Sequence, residues 1–212
     1  ILEYADGGDL QTKIMIHKNE NKYFNEKTIW SIFIQMIIGL KELHNIKIMH
    51  RDLKSANIFL TKIGICKIGD LNISKIIKNN FAYTQVGTPY FTSPEVWCDK
   101  PYDFKSDIWS IGCILYQMCT FNYPFDGNSV HEIYINICKG NIEPIKYNYS
   151  KELKKIINNL LQIDPNKRPS CQNILDNPII IDKMRILFGL NNFNNKENYD
   201  HNNKNNLLKT LK

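Results

Sequence analysis

The sequence lacks the features that would place it among membrane or secreted proteins. It contains no apolar run that approaches the length of a membrane span, and no stretch resembles a secretory signal peptide. Its six cysteines do not form C-x-x-C pairs, which argues against a zinc site and against a disulfide framework. We therefore expect an intracellular protein in a reducing compartment. The cysteines are Cys66, Cys98, Cys113, Cys119, Cys138 and Cys171.

Composition and charge are those of an ordinary globular domain. Of the 212 residues, 43% are hydrophobic and 23% are charged, which is enough apolar material for one large domain with its own core. The net charge of +6 weakly favours anionic partners, but a lysine-rich solvated surface explains it better than nucleic-acid binding. We expect a folded domain over residues 1–185 and a disordered tail over the Asn- and Lys-rich residues 186–212.

The most informative stretch is the string His50-Arg51-Asp52-Leu53-Lys54-Ser55-Ala56-Asn57. It brings a carboxylate, an ammonium group and a carboxamide together just before a β-prone segment. Asp52 can accept a hydroxyl proton, Lys54 can stabilise a charged phosphoryl group, and Asn57 offers Mg²⁺ a hard oxygen ligand. Taken alone, an Asp after an Arg is usually a surface ion pair of little energetic value. Packing by itself does not require all of these residues in this order.

The string fits the pattern H-R-D-L-x-x-x-N and resembles the catalytic loop of protein kinases. The resemblance implies that Asp52 is the catalytic base and that Lys54 stabilises the transferring phosphoryl group. It also implies that Asn57 and Asp70 bind Mg²⁺, because Asp70 stands first in D-L-N where the family has D-F-G or D-L-G. Asn72 departs from the family's glycine, although Asn is the next most tolerant residue for left-handed backbone conformations.

A strand-turn-helix pattern precedes this loop. Ile1-Leu2-Glu3-Tyr4-Ala5 is typical of the end of a strand, and Asp6-Gly7-Gly8-Asp9 breaks it. By the same resemblance this is the kinase hinge, with Leu2 as the gatekeeper and the backbones of Glu3 and Ala5 binding adenine. Without the catalytic loop, the pattern L-E-Y-x-x-G-G-D-L would equally describe an edge strand that binds no ligand.

Residues 70–95 resemble a kinase activation segment. Its end, residues 86–95, is V-G-T-P-Y-F-T-S-P-E and is similar to the family's G-T-P-x-[YF]-x-[SA]-P-E. The resemblance implies that Thr88 hydrogen-bonds Asp52 and Lys54. Lys54 and Thr88 together imply specificity for serine and threonine, since tyrosine kinases carry other residues at both positions.

The same resemblance implies a phosphate switch. Arg51, next to the catalytic Asp, implies a basic pocket for a phosphate on the activation segment. Thr84 stands where relatives are phosphorylated. The alternative for Thr84 is an ordinary exposed loop threonine.

Three further residues are expected to have structural roles. Asp107 opens a largely apolar helix that must be buried, and in kinases this Asp supports the backbone of the catalytic loop. Arg168 is expected to pair with Glu95 and to anchor the activation segment to the rest of the lobe. The alternative for Arg168 is an exposed arginine at a helix terminus.

Capping residues and apolar periodicity predict the main helices. Asp9 and Asn25 are candidate N-caps, and the apolar residues after Asn25 recur at helical spacing. Further helices are expected at about 129–139 and 150–162. A small β-hairpin is expected over residues 58–68, because two apolar runs flank a turn.

Taken together, the motifs are most similar to those of the NIMA-related (NEK) serine/threonine kinases. This resemblance implies an α+β protein-kinase-like fold, here a mainly α-helical C-terminal lobe with short β-hairpins. It implies ATP-dependent phosphorylation of Ser/Thr on protein substrates, with Mg²⁺, after activation by another kinase or by self-phosphorylation. The expected locations are the cytoplasm, the nucleus or microtubule-associated structures.

The chain begins at the hinge, so we expect the N-terminal β lobe to be absent from it. That lobe would carry the Gly-rich loop, the strand Lys and its partner Glu, and the chain alone is therefore expected to be nearly inert. Two alternatives remain open. One is a pseudokinase or scaffold, for which Asn72 is the argument, and the other is a truncated C-lobe that acts as an interaction module.

Overall fold

The computed structural model describes residues 4–71 and 89–189 of the chain. Within these ranges the strands are β1 (Ile58–Leu60) and β2 (Cys66–Ile68), and short 3₁₀ turns cover Ser55–Asn57, Pro89–Phe91 and Pro165–Lys167. The predicted mainly α-helical lobe with a short β-hairpin is confirmed. The helices are α1 (Leu10–Asn19), α2 (Glu26–Asn45), α3 (Pro94–Trp97), α4 (Lys105–Thr120), α5 (Val130–Lys139), α6 (Lys151–Leu160), α7 (Cys171–Leu175) and α8 (Pro178–Phe188).

Side-chain caps begin the helices where the sequence predicted them. Asp9 accepts the backbone N–H three residues further on at 2.8 Å, and Asn25 accepts the N–H two residues further on at 2.9 Å. Serine caps open α5 and α6 as well. Helix α6 ends at Leu160, earlier than the predicted residue 162. Beyond this helix, the carbonyl groups of Gln162 and Ile163 accept hydrogen bonds from Arg168.

Helix α4 lies at the centre of the core. Every residue from Asp107 to Cys119 is buried, as expected for a helix that is apolar nearly all round. A Cβ at Gly112 would lie 2.8 Å from the Leu161 side chain, so glycine permits the close approach of α4 to the end of α6. At the other end of the chain, α8 closes on buried Phe188, and the packed region thus extends past residue 185. No helix in the described ranges combines the length and apolar character needed to cross a membrane.

The β-hairpin lies against the residues that precede α1. Its strands pair in antiparallel fashion, with Ile58 opposite Ile68. The Gly7 N–H donates to the Leu60 carbonyl, and the Leu60 N–H donates to the Gly8 carbonyl, both at 2.8 Å. A Cβ at Gly7 would lie 2.7 Å from the same Leu60 oxygen, so this pairing requires glycine. The pairing fixes the segment before α1 beside the strand that follows the catalytic loop.

A buried ion pair anchors α3. The Nη1 and Nη2 atoms of Arg168 each donate to a carboxylate oxygen of Glu95 at 2.7 Å, and both residues are buried. Arg168 also donates to the backbone carbonyls of Gln162, Ile163 and Lys105 at 2.7, 3.1 and 3.0 Å. The ion pair expected from the sequence is therefore present, and it joins α3 to the start of α4 and to the segment after α6.

The environment of Glu95 makes this pair sensitive to acid. Burial would raise the pKa of Glu95, but the hydrogen bonds from Arg168 and Ser106 outweigh it and lower the pKa from 4.5 to about 2. Because the pKa in the folded state lies below that in the unfolded state, the contribution to stability is fully present above about pH 4.5. It is lost as the pH falls toward 2.

We expect Arg168→Met to lower the free energy of unfolding by about 3–5 kcal/mol, because it leaves a buried carboxylate without its counter-charge. Urea unfolding followed by circular dichroism measures the change. Arg185→Met is the matched control, since Arg185 and Asp182 form an exposed pair at 3.4 Å on α8. The control should lose less than about 1 kcal/mol. Equal losses in the two variants would contradict the anchoring role.

We also expect the free energy of unfolding to depend on pH through the Glu95 carboxyl group of this pair. Between pH 6 and pH 3 the wild type should lose about 2 kcal/mol more unfolding free energy than the Glu95→Gln/Arg168→Met double variant, which lacks the carboxyl group. Urea unfolding at a series of pH values measures both curves. If the two proteins show the same pH dependence, Glu95 does not have a lowered pKa in the folded state.

Candidate active site

The loop between α2 and β1 alternates between buried and accessible residues. Leu53, Ser55 and Asn57 are buried. The side chains of Asp52 and Lys54 are 31% and 23% exposed. Leu53 therefore holds the loop in the core, while the charged groups on either side of it stay accessible to a substrate.

The backbone of this loop is held by Asp107 of α4. One carboxylate oxygen accepts the His50 N–H at 3.0 Å, and the other accepts the Arg51 N–H at 3.0 Å. Arg51 adopts a left-handed conformation with φ of 69°, which side chains other than glycine rarely adopt. The two hydrogen bonds to a buried charge stabilise this strained conformation, so the sharp bend before Asp52 depends on a helix elsewhere in the chain.

Asp52, Lys54 and Asn57 form one polar cluster. The Lys54 ammonium donates to Oδ2 of Asp52 at 2.9 Å. The Asn57 carboxamide nitrogen donates to the Asp52 backbone carbonyl at 2.8 Å and lies 3.4 Å from Oδ2. These bonds fix the orientation of the Asp52 carboxylate from two sides, while its exposure leaves it open to an incoming hydroxyl group.

Asp70 is joined to the cluster through the residue before it. The Gly69 N–H donates to the Asn57 carbonyl at 2.9 Å, and the Gly69 carbonyl lies 2.9 Å from Nε2 of buried His50. A Cβ at Gly69 would lie 2.6 Å from the Phe59 ring, so only glycine fits between the ring and the loop. Asp70 itself is exposed and has φ of 59°. Asp70 therefore directly follows a residue that is hydrogen-bonded to the catalytic loop through both its N–H and its carbonyl.

Asn57 and Asp70 supply the kind of oxygen atoms that could hold Mg²⁺. Mg²⁺ is usually bound by one or two protein oxygens, with phosphate groups and water completing the octahedron. Within the described ranges, no group of three His, Cys, Asp or Glu residues could hold a metal by itself. The donor set thus suits an ion that is shared with a phosphate-bearing ligand.

Some predicted residues are described only in part or not at all. Ala5 is half-buried and lies two residues before the glycine that pairs with β1. Arg51 is exposed beside the cluster. Five predicted residues lie outside the described residues, and their roles stay predictions: Leu2, Glu3, Asn72, Thr84 and Thr88.

His44 also contacts the carboxylate of Asp107 that holds the loop. Its Nε2 lies 2.9 Å from the same Asp107 oxygen that accepts the His50 N–H. Its ring packs against Phe104 with centroids 4.6 Å apart, and its Nδ1 lies 3.6 Å from the Cys171 sulfur. In the sequence, His44 is simply a residue near the end of the helix that follows Asn25, and no local pattern links it to a partner 63 residues away.

Comparison with known proteins identifies the family. The family model described as the protein kinase domain matches residues 1–180. The chain belongs to the protein kinase domain family. Human serine/threonine-protein kinase Nek5 is 43% identical over 183 residues, which are 85% of this chain and 26% of that protein. Mouse serine/threonine-protein kinase Nek3 is 42% identical over 177 residues, which are 82% of this chain and 34% of that protein.

A more distant organism supplies a similar match. The probable serine/threonine-protein kinase nek3 of Dictyostelium discoideum is 41% identical over 186 residues, which are 85% of this chain and 17% of that protein. The prediction of a NEK-like protein kinase domain is thereby confirmed. The chain spans about a sixth to a third of the length of these three relatives.

We expect Asp107→Asn to loosen the catalytic loop. The carboxamide keeps the shape of the side chain but turns its NH₂ toward one of the two backbone N–H donors. This should lower the free energy of unfolding by about 2 kcal/mol. The amide hydrogens of His50 and Arg51 should exchange faster. Hydrogen exchange resolved by residue measures this, with the exposed Asp182→Asn as the control; unchanged exchange at both amides would contradict the proposed support.

Proposed function

We propose that the protein is a NEK-type kinase that transfers the terminal phosphoryl group of ATP to serine and threonine residues of protein substrates. The observation that carries this proposal is the Asp52 carboxylate. It is accessible, it lies within hydrogen-bonding distance of Lys54 and Asn57, and it follows a bend that a buried carboxylate fixes. Phosphoryl transfer depends mainly on such positioning and on charge stabilisation.

Asp52 and Lys54 have complementary roles in this chemistry. The Asp52 carboxylate orients the hydroxyl of the acceptor side chain and accepts its proton as the new P–O bond forms. The Lys54 ammonium, 2.9 Å from Oδ2, brings positive charge to the place where the hydroxyl meets the phosphoryl group. Because the loop is held before the substrate arrives, neither group needs to be reorganised during transfer.

Nucleotide and metal binding are assigned to the neighbouring residues. Asn57 and Asp70 would hold Mg²⁺, which neutralises phosphate charge when it is bound. The backbones of Glu3 and Ala5 would bind adenine. Support for this placement comes from the pairing of Gly7 and Gly8 with β1, which keeps the segment after Ala5 next to the catalytic loop.

Specificity and control are assigned to the activation segment. Thr88, with Lys54, would select serine and threonine acceptors. It would do so by hydrogen-bonding Asp52 and Lys54, which ties the activation segment to the catalytic loop. Phosphorylation of Thr84, by another kinase or by the protein itself, would bring a phosphate to the basic pocket at Arg51. We place the protein inside the cell, in the cytoplasm, the nucleus or on microtubule-associated structures.

A second candidate function is a scaffold without catalytic activity. Asn72 supports it, because the family has glycine at this position and a side chain there restricts the backbone. Retention of Asp52, Asn57 and Asp70 favours the enzyme, since a scaffold needs none of these three groups.

The experiment is phosphate incorporation into a generic Ser/Thr substrate by the full-length protein with Mg-ATP. We expect Asp52→Asn to lower the rate by about 10²- to 10⁴-fold, because it removes the general base. ATP affinity should change little in this variant, since Asp52 faces the acceptor. Asp70→Asn should weaken Mg-ATP binding as well as turnover, because it removes a metal ligand.

Two further variants make the result decisive. Asp182→Asn, on the exposed surface of α8, should keep full activity. Asn72→Gly should keep or raise activity if the segment merely tolerates Asn. If neither the wild type nor Asp52→Asn incorporates phosphate, and Asn72→Gly does not restore activity, the protein is a scaffold and the kinase proposal is wrong.

A further inference from the structure

Two cysteines that are distant in the sequence meet at the surface between α3 and α5. Cys98 follows α3 directly, and Cys138 lies near the C-terminal end of α5. Their sulfur atoms are 3.8 Å apart although 40 positions separate the residues. Both residues are partly exposed. The pair was not recognisable in the sequence, where the cysteines are scattered without paired spacing.

The surroundings of this pair differ from those of the core cysteines. Cys113 and Cys119 are completely buried in α4 and act as small apolar residues. The Cys98 sulfur instead lies 4.0 Å from the hydroxyl of Tyr134, one helical turn before Cys138 on α5. The two thiols are therefore accessible and lie in a partly polar environment.

A metal site does not explain the pair. A structural zinc ion takes four ligands, and within residues 4–71 and 89–189 no third His, Cys, Asp or Glu completes a metal-binding group. Two adjacent thiols in partly exposed residues can be oxidised to a disulfide. In intracellular proteins such disulfides are usually transient and serve redox sensing.

We propose that Cys98 and Cys138 are a redox modification site that forms a reversible disulfide when the protein meets hydrogen peroxide. In the first step one thiolate attacks a peroxide oxygen, which breaks the O–O bond and gives a sulfenic acid and, after protonation, one water molecule. In the second step the other thiol attacks the sulfenic sulfur, forms the S–S bond and releases a second water molecule. The two thiols lose two electrons and the peroxide gains them. A dithiol reductant reverses the reaction by exchange.

The local structure permits the sulfur atoms to approach from 3.8 Å to the bonding distance of about 2.05 Å. Cys98 lies where the chain leaves α3, and the next residue, Asp99, has a left-handed φ of 52°. The Cys98 N–H donates to the Pro94 carbonyl at 2.9 Å, so a shift at this position disturbs only the end of the four-residue α3 and not the interior of a long helix. The Trp97 and Tyr134 rings, with centroids 5.8 Å apart, meanwhile hold α3 against α5.

The disulfide would hold α3 from a second side. Glu95, in the same short helix, is already bound to Arg168 and thus to the start of α4. A bond from Cys98 to Cys138 adds a covalent link to α5. Oxidation would therefore restrain α3 from two sides. This effect does not depend on the proposed kinase activity.

Peptide mapping on the full-length protein tests the proposal. The protein is treated with hydrogen peroxide, the remaining thiols are alkylated, and chymotrypsin is used because cleavage after Trp97, Tyr102, Tyr134 and Tyr147 isolates each cysteine on its own peptide. We expect a linked pair of these peptides within one chain, two hydrogen atoms lighter than their sum, and its loss after treatment with dithiothreitol. Absence of the linked pair, or a link between two chains on a non-reducing gel, would overturn the proposal.

Serine variants identify the residues involved. Cys98→Ser and Cys138→Ser should each abolish the linked pair. Cys66→Ser is the control and should leave it unchanged, because burial raises the pKa of the Cys66 thiol to about 12 and Cys66 lies on the hairpin. A linked pair that persists in either of the first two variants would overturn the assignment.

Thermal unfolding supplies an independent readout that needs no activity. The disulfide closes a loop of 40 residue steps, so the oxidised wild type should unfold roughly 5–10 °C higher than the reduced protein. Cys138→Ser should show no such shift under the same treatment. An equal or lower midpoint in the oxidised wild type would overturn the proposal, because the bond would then not fit the native fold.

Discussion

The candidate active site depends on the Asp107 carboxylate, which is buried in the centre of the fold and accepts two backbone N–H groups from the catalytic loop. A buried N–H group without a partner costs free energy comparable to a lost hydrogen bond. The carboxylate removes that cost at two successive residues, one of them the left-handed Arg51. Nε2 of His44 lies 2.9 Å from one oxygen of the same carboxylate. The bend before Asp52 is therefore a property of the packed core, not of the loop alone.

The second anchor, the pair of Glu95 and Arg168, works in the same region by a different principle. There the charge is neutralised within the protein, and the guanidinium group also binds three backbone carbonyls. Both anchors converge on α4, which supplies Asp107 in its first turn and accepts an Arg168 hydrogen bond at Lys105. One buried helix thus fixes both the loop that carries Asp52 and the helix that follows residue 89. Asp52 and Lys54 can stay partly exposed because the groups that support their loop are buried.

Much of the fold followed from short-range patterns. The caps at Asp9 and Asn25, the hairpin and the buried helix at Asp107 occur where sequence patterns placed them, since each depends on residues within a few positions. Helix α6 ends at Leu160, within two residues of the predicted end, and the carbonyl groups of Gln162 and Ile163 beyond it bind Arg168. The contact of His44 with Asp107 could not be predicted from a local pattern, because the two residues are 63 positions apart. Glu3, Thr84 and Thr88 stay sequence predictions.

The sequence by itself determined the family and the identities of the polar residues, because Asp52, Lys54 and Asn57 lie within six consecutive positions and their order is specific. Local chemistry also determined the helix starts. Only the tertiary structure decided which other distant groups meet: His44 with Asp107, Gly7 with Leu60, and Cys98 with Cys138. No sequence pattern encodes these contacts, because they depend on how helices of different lengths pack around α4. The distance between two side chains that are far apart in the chain is fixed by that packing alone.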